Sequence, residues 1–332
     1  MKITVVGSGA WGTALAISLC KKSHEVTLWA RSAEKAEQMK STRQNPRLAG
    51  IQLPEELNIS ADPACVAGSK LVVIASPSVG IRQVCRQIAS HLDADAVMVS
   101  VTKGIEPGTL LRMSQVVGEE TNRPVVALTG PSHAEELAAC MPTGCVAACA
   151  EQKYAEMVQD AFMSDYFRIY TTPDIVGAEL GGALKNVIAL CAGATNGMGY
   201  GDNIKAMLMT RGLTEMARLG VAMGANRDTF AGLAGVGDLI VTCTSAHSRN
   251  RQAGILIGQG MTADDAMRQV GAVVEGYYAA KSAAELADKY GVDMPIVKAA
   301  CAVLYEGVTT PWVLEQLLNR SKKPESEDSG WI

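Results

Sequence analysis

Between an apolar run, Lys2-Ile3-Thr4-Val5-Val6, and a helical run, Thr13-Ala14-Leu15-Ala16-Ile17-Ser18-Leu19, the chain places Gly7-Ser8-Gly9-Ala10-Trp11-Gly12. Three glycines at that spacing specify little alone, but at a strand-to-helix junction they constrain the fold strongly. Gly7 permits a tight turn, Gly9 lets backbone amides approach a pyrophosphate, and Gly12 allows close packing of helix on strand. The positive end of the helix then faces the anion. The chain is therefore expected to open with a βαβ unit that holds a dinucleotide at Gly7, Gly9 and Gly12.

The pattern continues to about residue 170, with strands expected at 2–6, 25–30, 71–75, 96–101, 124–128, 144–148 and 166–170. Runs such as Leu71-Val72-Val73-Ile74-Ala75 are apolar throughout, the composition of a strand buried on both faces. This implies an α/β fold, a Rossmann-type doubly wound and mostly parallel sheet, followed by an all-α C-terminal domain. Thr171-Thr172-Pro173-Asp174 offers a capping hydroxyl, a proline for the first helical position and an acid near the positive helix end, so a long helix is expected to start there. Val176, Leu180, Leu184, Val187, Ile188 and Cys191 then make one apolar stripe. The boundaries expected are 1–172 for the dinucleotide domain, 173–320 for a helical substrate domain and 321–332 for a flexible tail.

A net charge of -4 argues against a nucleic-acid binder, which needs a basic face. The nine cysteines show no paired CxxC spacing, so neither a metal site nor a disulfide framework is expected. The amino terminus lacks a leader pattern, and no apolar run is read as approaching the ~20 residues that span a bilayer. A soluble, cytoplasmic protein is the expectation.

Several residues suggest chemistry. The second strand ends not on the acid that would hold an NAD ribose but on Arg31, which suits a 2'-phosphate, so NADP(H) is favoured and NAD(H) stays open. Trp11 could cover the dinucleotide or simply pack. Lys185 shares its helix face with small residues, since Ala178, Gly181, Gly182, Ala189 and Ala192 all fall within about 60° of it. Two successive glycines cost roughly 1 kcal/mol each in a helix, which points to a close approach beside the ammonium. Such a lysine could give a proton to a ketone oxygen and take it back, provided burial or a second cation lowers its pKa. Lys103, after the strand at 96–101, is the candidate cation. Gly130-Pro131-Ser132-His133 could present donors to a ligand or serve only as a helix cap, and His133 is read as structural. Ser248-Arg249-Asn250 at a helix start has the make-up of a phosphate clamp.

Taken together, Gly7 to Gly12, Ser100-Val101-Thr102-Lys103-Gly104-Ile105-Glu106, Gly130-Pro131-Ser132, Leu184-Lys185-Asn186-Val187, Gly235-Val236-Gly237-Asp238-Leu239 and Ser248-Arg249-Asn250 resemble the bacterial type of NAD(P)-dependent glycerol-3-phosphate dehydrogenase over residues 1 to about 315. The resemblance implies reduction of dihydroxyacetone phosphate to sn-glycerol 3-phosphate for glycerophospholipid synthesis, by a homodimer. It implies that Lys185 moves the proton and that Lys103 lies between cofactor and substrate. Gly130, Ser132, Asp238, Thr242, Ser248, Arg249 and Asn250 would contact substrate. Ser8, Trp11, Arg31, Lys103, Ala134, Arg249, Val273 and Glu275 would face the dinucleotide. A β-hydroxyacid or ketopantoate-type reductase is the alternative of similar architecture, and a non-catalytic dinucleotide sensor the alternative of another class.

Overall fold

A computed structural model describes residues 1–325. Strands β1 (Lys2–Val6), β2 (Glu25–Trp29), β3 (Asn58–Ser60), β4 (Leu71–Ile74), β5 (Val97–Ser100), β6 (Val125–Thr129), β7 (Thr143–Ala148) and β8 (Phe167–Thr172) form one sheet in the order 3-2-1-4-5-6-7-8. Neighbours are parallel except β6 and β7. The chain runs outward from β1 to β3 and then crosses back to β4, so a ligand crevice is expected beyond the carboxyl ends of β1 and β4. Strand β3 was not expected. Of Asn58-Ile59-Ser60 only Ile59 is buried, so no hydrophobic run marks it, and pairing with β2 makes the strand.

Helices α1 (Ala10–Lys21), α2 (Ala33–Thr42), α5 (Ala134–Ala138) and α6 (Gln152–Phe162) cover one face of the sheet, and α3 (Ile81–Ile88) and α4 (Met113–Thr121) cover the other. The four residues of β4 are accordingly buried throughout. Both faces being covered explains why apolar runs rather than alternation mark the inner strands.

The second half is helical: α7 (Ile175–Gly197), α8 (Asp202–Ala222), α9 (Asp238–Thr244), α10 (Arg249–Gly258), α11 (Ala263–Val270), α12 (Glu275–Tyr290), α13 (Pro295–Tyr305) and α14 (Thr310–Leu318). Helix α7 starts two residues later than its capping signal suggested. Thr171 and Thr172 finish β8, and the cap is the Asp174 carboxylate, whose Oδ1 accepts from the Gly177 amide at 2.8 Å while Oδ2 accepts from Thr229 Oγ1 at 2.6 Å. Nor is α7 a one-sided stripe, since every residue from Gly177 to Leu190 is buried. Among the described residues it is the one helix long and apolar enough to cross a membrane, with a mean hydropathy of 1.5 over an 18-residue window, which corrects the expectation that no run reaches that length. That window is 83% buried by the surrounding protein, the pattern of a central core helix. Helix α10 crosses α7 backbone against backbone: a Cβ on Gly193 would stand 2.2 Å from the Arg251 carbonyl oxygen, and one on Gly254 2.0 Å from that of Leu190. Of the tail expected to be flexible, 321–325 is described, with Glu325 accepting from Arg211 at 2.9 Å, and 326–332 lies outside the described residues.

Candidate active site

The glycine turn joins β1 to α1. Gly7 has φ +126°, and a Cβ there would stand 2.4 Å from the Ala75 carbonyl oxygen at the end of β4. A Cβ on Gly12 would stand 2.1 Å from the Gly7 carbonyl oxygen, so both positions exclude any side chain. Gly9 is different. It has nothing within 4 Å of its missing Cβ, and it caps α1 in extended conformation with no side chain on the helix-end amides. A turn built tightly on two sides and open on the third, at an uncapped helix start, fits a dinucleotide pyrophosphate. The buried Asn45 holds it, donating to the Ser8 carbonyl oxygen at 3.0 Å and to Thr13 Oγ1 at 2.7 Å.

Around that turn the other expected cofactor residues are distributed unevenly. Trp11 is half-buried, with its indole edge-on to Phe167 at 6.4 Å between centroids, which is the packing alternative. Arg31 is exposed two residues beyond β2. Ala134 is buried at the first position of α5. Val273 lies just before α12, and Glu275 opens that helix with its carboxylate on Ser78, accepting from the backbone amide at 3.1 Å and from Oγ at 2.5 Å. Burial raises the Glu275 pKa, and the Ser78 hydrogen bonds oppose that rise.

Lys103, Gly130, Ser132, Lys185, Asp238 and Thr242 come together although 139 positions, from 103 to 242, separate the first from the last. Lys185 Nζ donates to Asp238 Oδ1 at 2.6 Å and to Thr242 Oγ1 at 2.5 Å. Lys103 Nζ donates to Asp238 Oδ2 at 2.7 Å, Ser132 Oγ at 2.7 Å and the Gly130 carbonyl oxygen at 2.9 Å. One carboxylate, 1% exposed, thus bridges two ammonium groups from opposite halves of the chain. Burial brings the Lys185 pKa down to about 8; Asp238 resists that fall and Lys103 adds to it. The lane of small residues beside Lys185 is filled by protein. A Cβ on Gly181 would stand 2.3 Å from the Ala234 carbonyl oxygen, and one on Gly182 2.7 Å from Thr129 Oγ1 and 3.4 Å from Lys103 Cγ. The glycines therefore admit the widened helical turn Leu233–Gly237, which leads directly into Asp238, and the stem of Lys103. Beside the cluster, Thr129 Oγ1 and His133 Nε2 are buried without a protein hydrogen-bond partner.

The expected phosphate clamp is divided. Arg249 is exposed at the first position of α10. Ser248 is buried and accepts the Arg251 amide at 3.3 Å as the helix cap, and the buried Asn250 side chain donates to Asn186 Oδ1 at 2.9 Å and accepts from the Gly276 amide at 2.8 Å. His133 stacks edge-on with His247 at 6.0 Å, and burial lowers its pKa. Asn45, Ser78 and Asn186 were missed as site residues. Asn186 alone carried a signal, an amide beside a lysine inside a helix otherwise rich in apolar and small residues.

Two family models match the chain, the NAD-dependent glycerol-3-phosphate dehydrogenase N-terminus over residues 2–155 and its C-terminus over residues 174–315. A glycerol-3-phosphate dehydrogenase [NAD(P)+] of Thermoanaerobacter sp. is 49% identical over 98% of this chain and 99% of its own length. Its counterpart in Geobacillus thermodenitrificans is also 49% identical, over 98% of this chain and 97% of its own. The crystal structure of glycerol-3-phosphate dehydrogenase from Coxiella burnetii superposes with a TM-score of 0.92 at 34% identity, covering 96% of this chain and 99% of that one.

Proposed function

The chain belongs to the NAD-dependent glycerol-3-phosphate dehydrogenase family, and from that premise we propose that it interconverts dihydroxyacetone phosphate and sn-glycerol 3-phosphate with NADP(H) or NAD(H), Lys185 serving as general acid and base. The observation that carries the reading is the Lys185–Asp238–Lys103 bridge, which puts a buried amine of lowered pKa in one cluster with residues that follow the carboxyl ends of β5 and β6.

The bound dinucleotide supplies or accepts the hydride. Residues 1–172 would hold it through the amides after Gly9, Arg31, Lys103 and Ala134, and Val273 and Glu275 at the start of α12 would reach it from the helical half. Residues 173–320 bring the acid-base group and the phosphate site. In the reducing direction Lys185 gives a proton to the carbonyl oxygen as charge develops there; in the oxidising direction it takes the hydroxyl proton. An ordinary ammonium near 10.4 is a poor base at neutral pH, whereas one at about 8 can work both ways. Asp238 and Thr242 fix the direction of its Nζ. Arg249, at the positive end of α10, meets the phosphate with a guanidinium, while Ser248 and Asn250 shape that helix end. On this reading the enzyme acts in the cytoplasm as a homodimer and feeds glycerophospholipid synthesis.

The test is a parallel assay of NADPH and NADH consumption with dihydroxyacetone phosphate and with ketopantoate. Turnover with the phosphorylated ketone alone is expected. Turnover with ketopantoate alone would overturn the substrate assignment.

A further inference from the structure

Away from the reacting cluster, α7 carries a buried acid, Glu179, six residues before Lys185 and 7% exposed. Its partners come from the other half of the chain, at the start of α4. Oε1 accepts from the Ser114 amide at 2.7 Å, and Oε2 accepts from Ser114 Oγ at 2.6 Å and Arg112 Nη1 at 2.5 Å. Arg112 also donates to Ser114 Oγ at 3.1 Å, so the group is closed on itself. A charged, multiply bonded acid this far inside costs desolvation, and hydrophobic packing would serve mere cohesion as well.

What Arg112 is attached to gives the arrangement a purpose. Arg112 forms an antiparallel bridge with Ile105, and the Glu106 amide donates to the Leu111 carbonyl oxygen at 2.9 Å, so 105–112 is a closed loop with its base at Ile105 and Arg112. Ile105 is 1% exposed and packs in the core of the helical half. Lys103 lies two residues from that base. Holding Arg112 on α7 therefore holds the stem from which Lys103 reaches Asp238, and α7 is also the helix that carries Lys185. Helix geometry fixes about 9 Å of axial distance between Glu179 and Lys185.

We infer that Glu179 is a positioning residue for the reaction proposed above, a rivet between α7 and the Lys103 loop that sets how close the two ammonium groups stand. The inference rests on the assignment of Lys185 as the acid-base group. It makes Glu179 act on chemistry through Lys103 without touching substrate or cofactor. The charged and titratable groups that face Lys185 are Asp238, Lys103, His133, Cys145 and Cys243, and of these Lys103 is the one the rivet holds.

The experiment compares Glu179→Gln with Ser114→Ala and Arg112→Lys, two milder changes to the same group that keep the test open where Gln fails to fold. Cofactor affinity is read by NADPH fluorescence, catalysis by the pH profile of glycerol 3-phosphate oxidation, and the lysine itself by NMR titration of the ligand-free protein with 13C at lysine Cε. With the rivet weakened Lys103 recedes and Lys185 holds its proton more tightly. NADPH affinity is then expected to fall no more than several-fold, as the Lys103 contact to the dinucleotide loosens, while the acid limb of the profile and the Lys185 titration both move up by as much as about tenfold in proton affinity. Oxidation below that limb slows by the same factor. Unchanged limbs in folded variants, or slower turnover with no movement of the Lys185 titration, would overturn the positioning role. Wild-type protein inactive with dihydroxyacetone phosphate would instead overturn the function on which it rests.

Discussion

Replacing Asp238 by Asn removes one charge and almost no volume, and so isolates what the carboxylate does for two ammonium groups. Lys185 and Lys103 stand 2.6 and 2.7 Å from its two oxygens, with side chains 7% and 15% exposed. Taking one partner from a buried pair costs about 3–5 kcal/mol while the remaining charge stays in place. The protein can relieve part of that cost by releasing a proton from Lys185, the more buried lysine and one already brought down to about 8 by burial and Lys103. A hundredfold loss of proton affinity is worth about 2.7 kcal/mol and would place the group near 6. The sign follows from linkage. Where the folded pKa lies below the unfolded one, the unfolded chain binds more protons between the two values, and stability rises with pH across that window. The window opens near 6 in the variant and near 8 in the wild type, so the deficit of Asp238→Asn is largest below pH 6 and shrinks by roughly 2.7 kcal/mol by pH 8. Urea unfolding of both proteins at several pH values, at constant m, measures it. A deficit that is flat or grows toward pH 8 would show that Lys185 does not shed its proton when Asp238 loses its charge.

Three further outcomes are expected. Asn45→Ala leaves the Ser8 carbonyl and Thr13 hydroxyl without their buried donor, a loss of about 1–3 kcal/mol, and is expected to weaken NADPH binding about tenfold with kcat little changed, as read by fluorescence titration. Arg249→Ala is expected to raise KM for dihydroxyacetone phosphate by one to two orders of magnitude, and an unchanged KM in steady-state kinetics would remove Arg249 from the phosphate site. Glu215 caps α13 by accepting from the Ile296 and Val297 amides, and burial raises its pKa to about 7. Its folded pKa being raised, the stability it lends at low pH is lost as pH rises from about 4.5 through 7. Glu215→Gln should flatten that fall, so that its stability relative to wild type improves by on the order of 1–3 kcal/mol between pH 5 and pH 8, measured by denaturation at both.

The sheet and the glycine turn were legible because they rest on local signals: apolar strands buried on both faces, and glycines at a strand-to-helix junction. Strand β3 was not, because an edge strand of three residues is made by its neighbour rather than by its own composition. Helix α7 was read as a stripe because a period of 3.6 residues shows which positions are most apolar but not that the remaining positions are small enough to be buried too. The lane of small residues around Lys185 was visible, and its occupant was not: Gly181 and Gly182 receive the Ala234 carbonyl and the Lys103 stem, contacts made across long sequence separations. Asn45, Ser78 and Glu179 belong to the same class. Each is an ordinary polar residue in its own segment, and becomes significant only where the fold lays it against the glycine turn, Glu275 or the Lys103 loop.

The proposed role of Lys185 as the proton carrier in the reduction of dihydroxyacetone phosphate is tested by Lys185→Ala, with kinetics and cofactor binding measured on the same preparation. General acid-base help is typically worth 10²–10⁴ in rate, so kcat is predicted to fall by at least about a hundredfold while the NADPH dissociation constant stays within about threefold of wild type. Turnover retained within about tenfold of wild type would rule out Lys185 as the general acid and base.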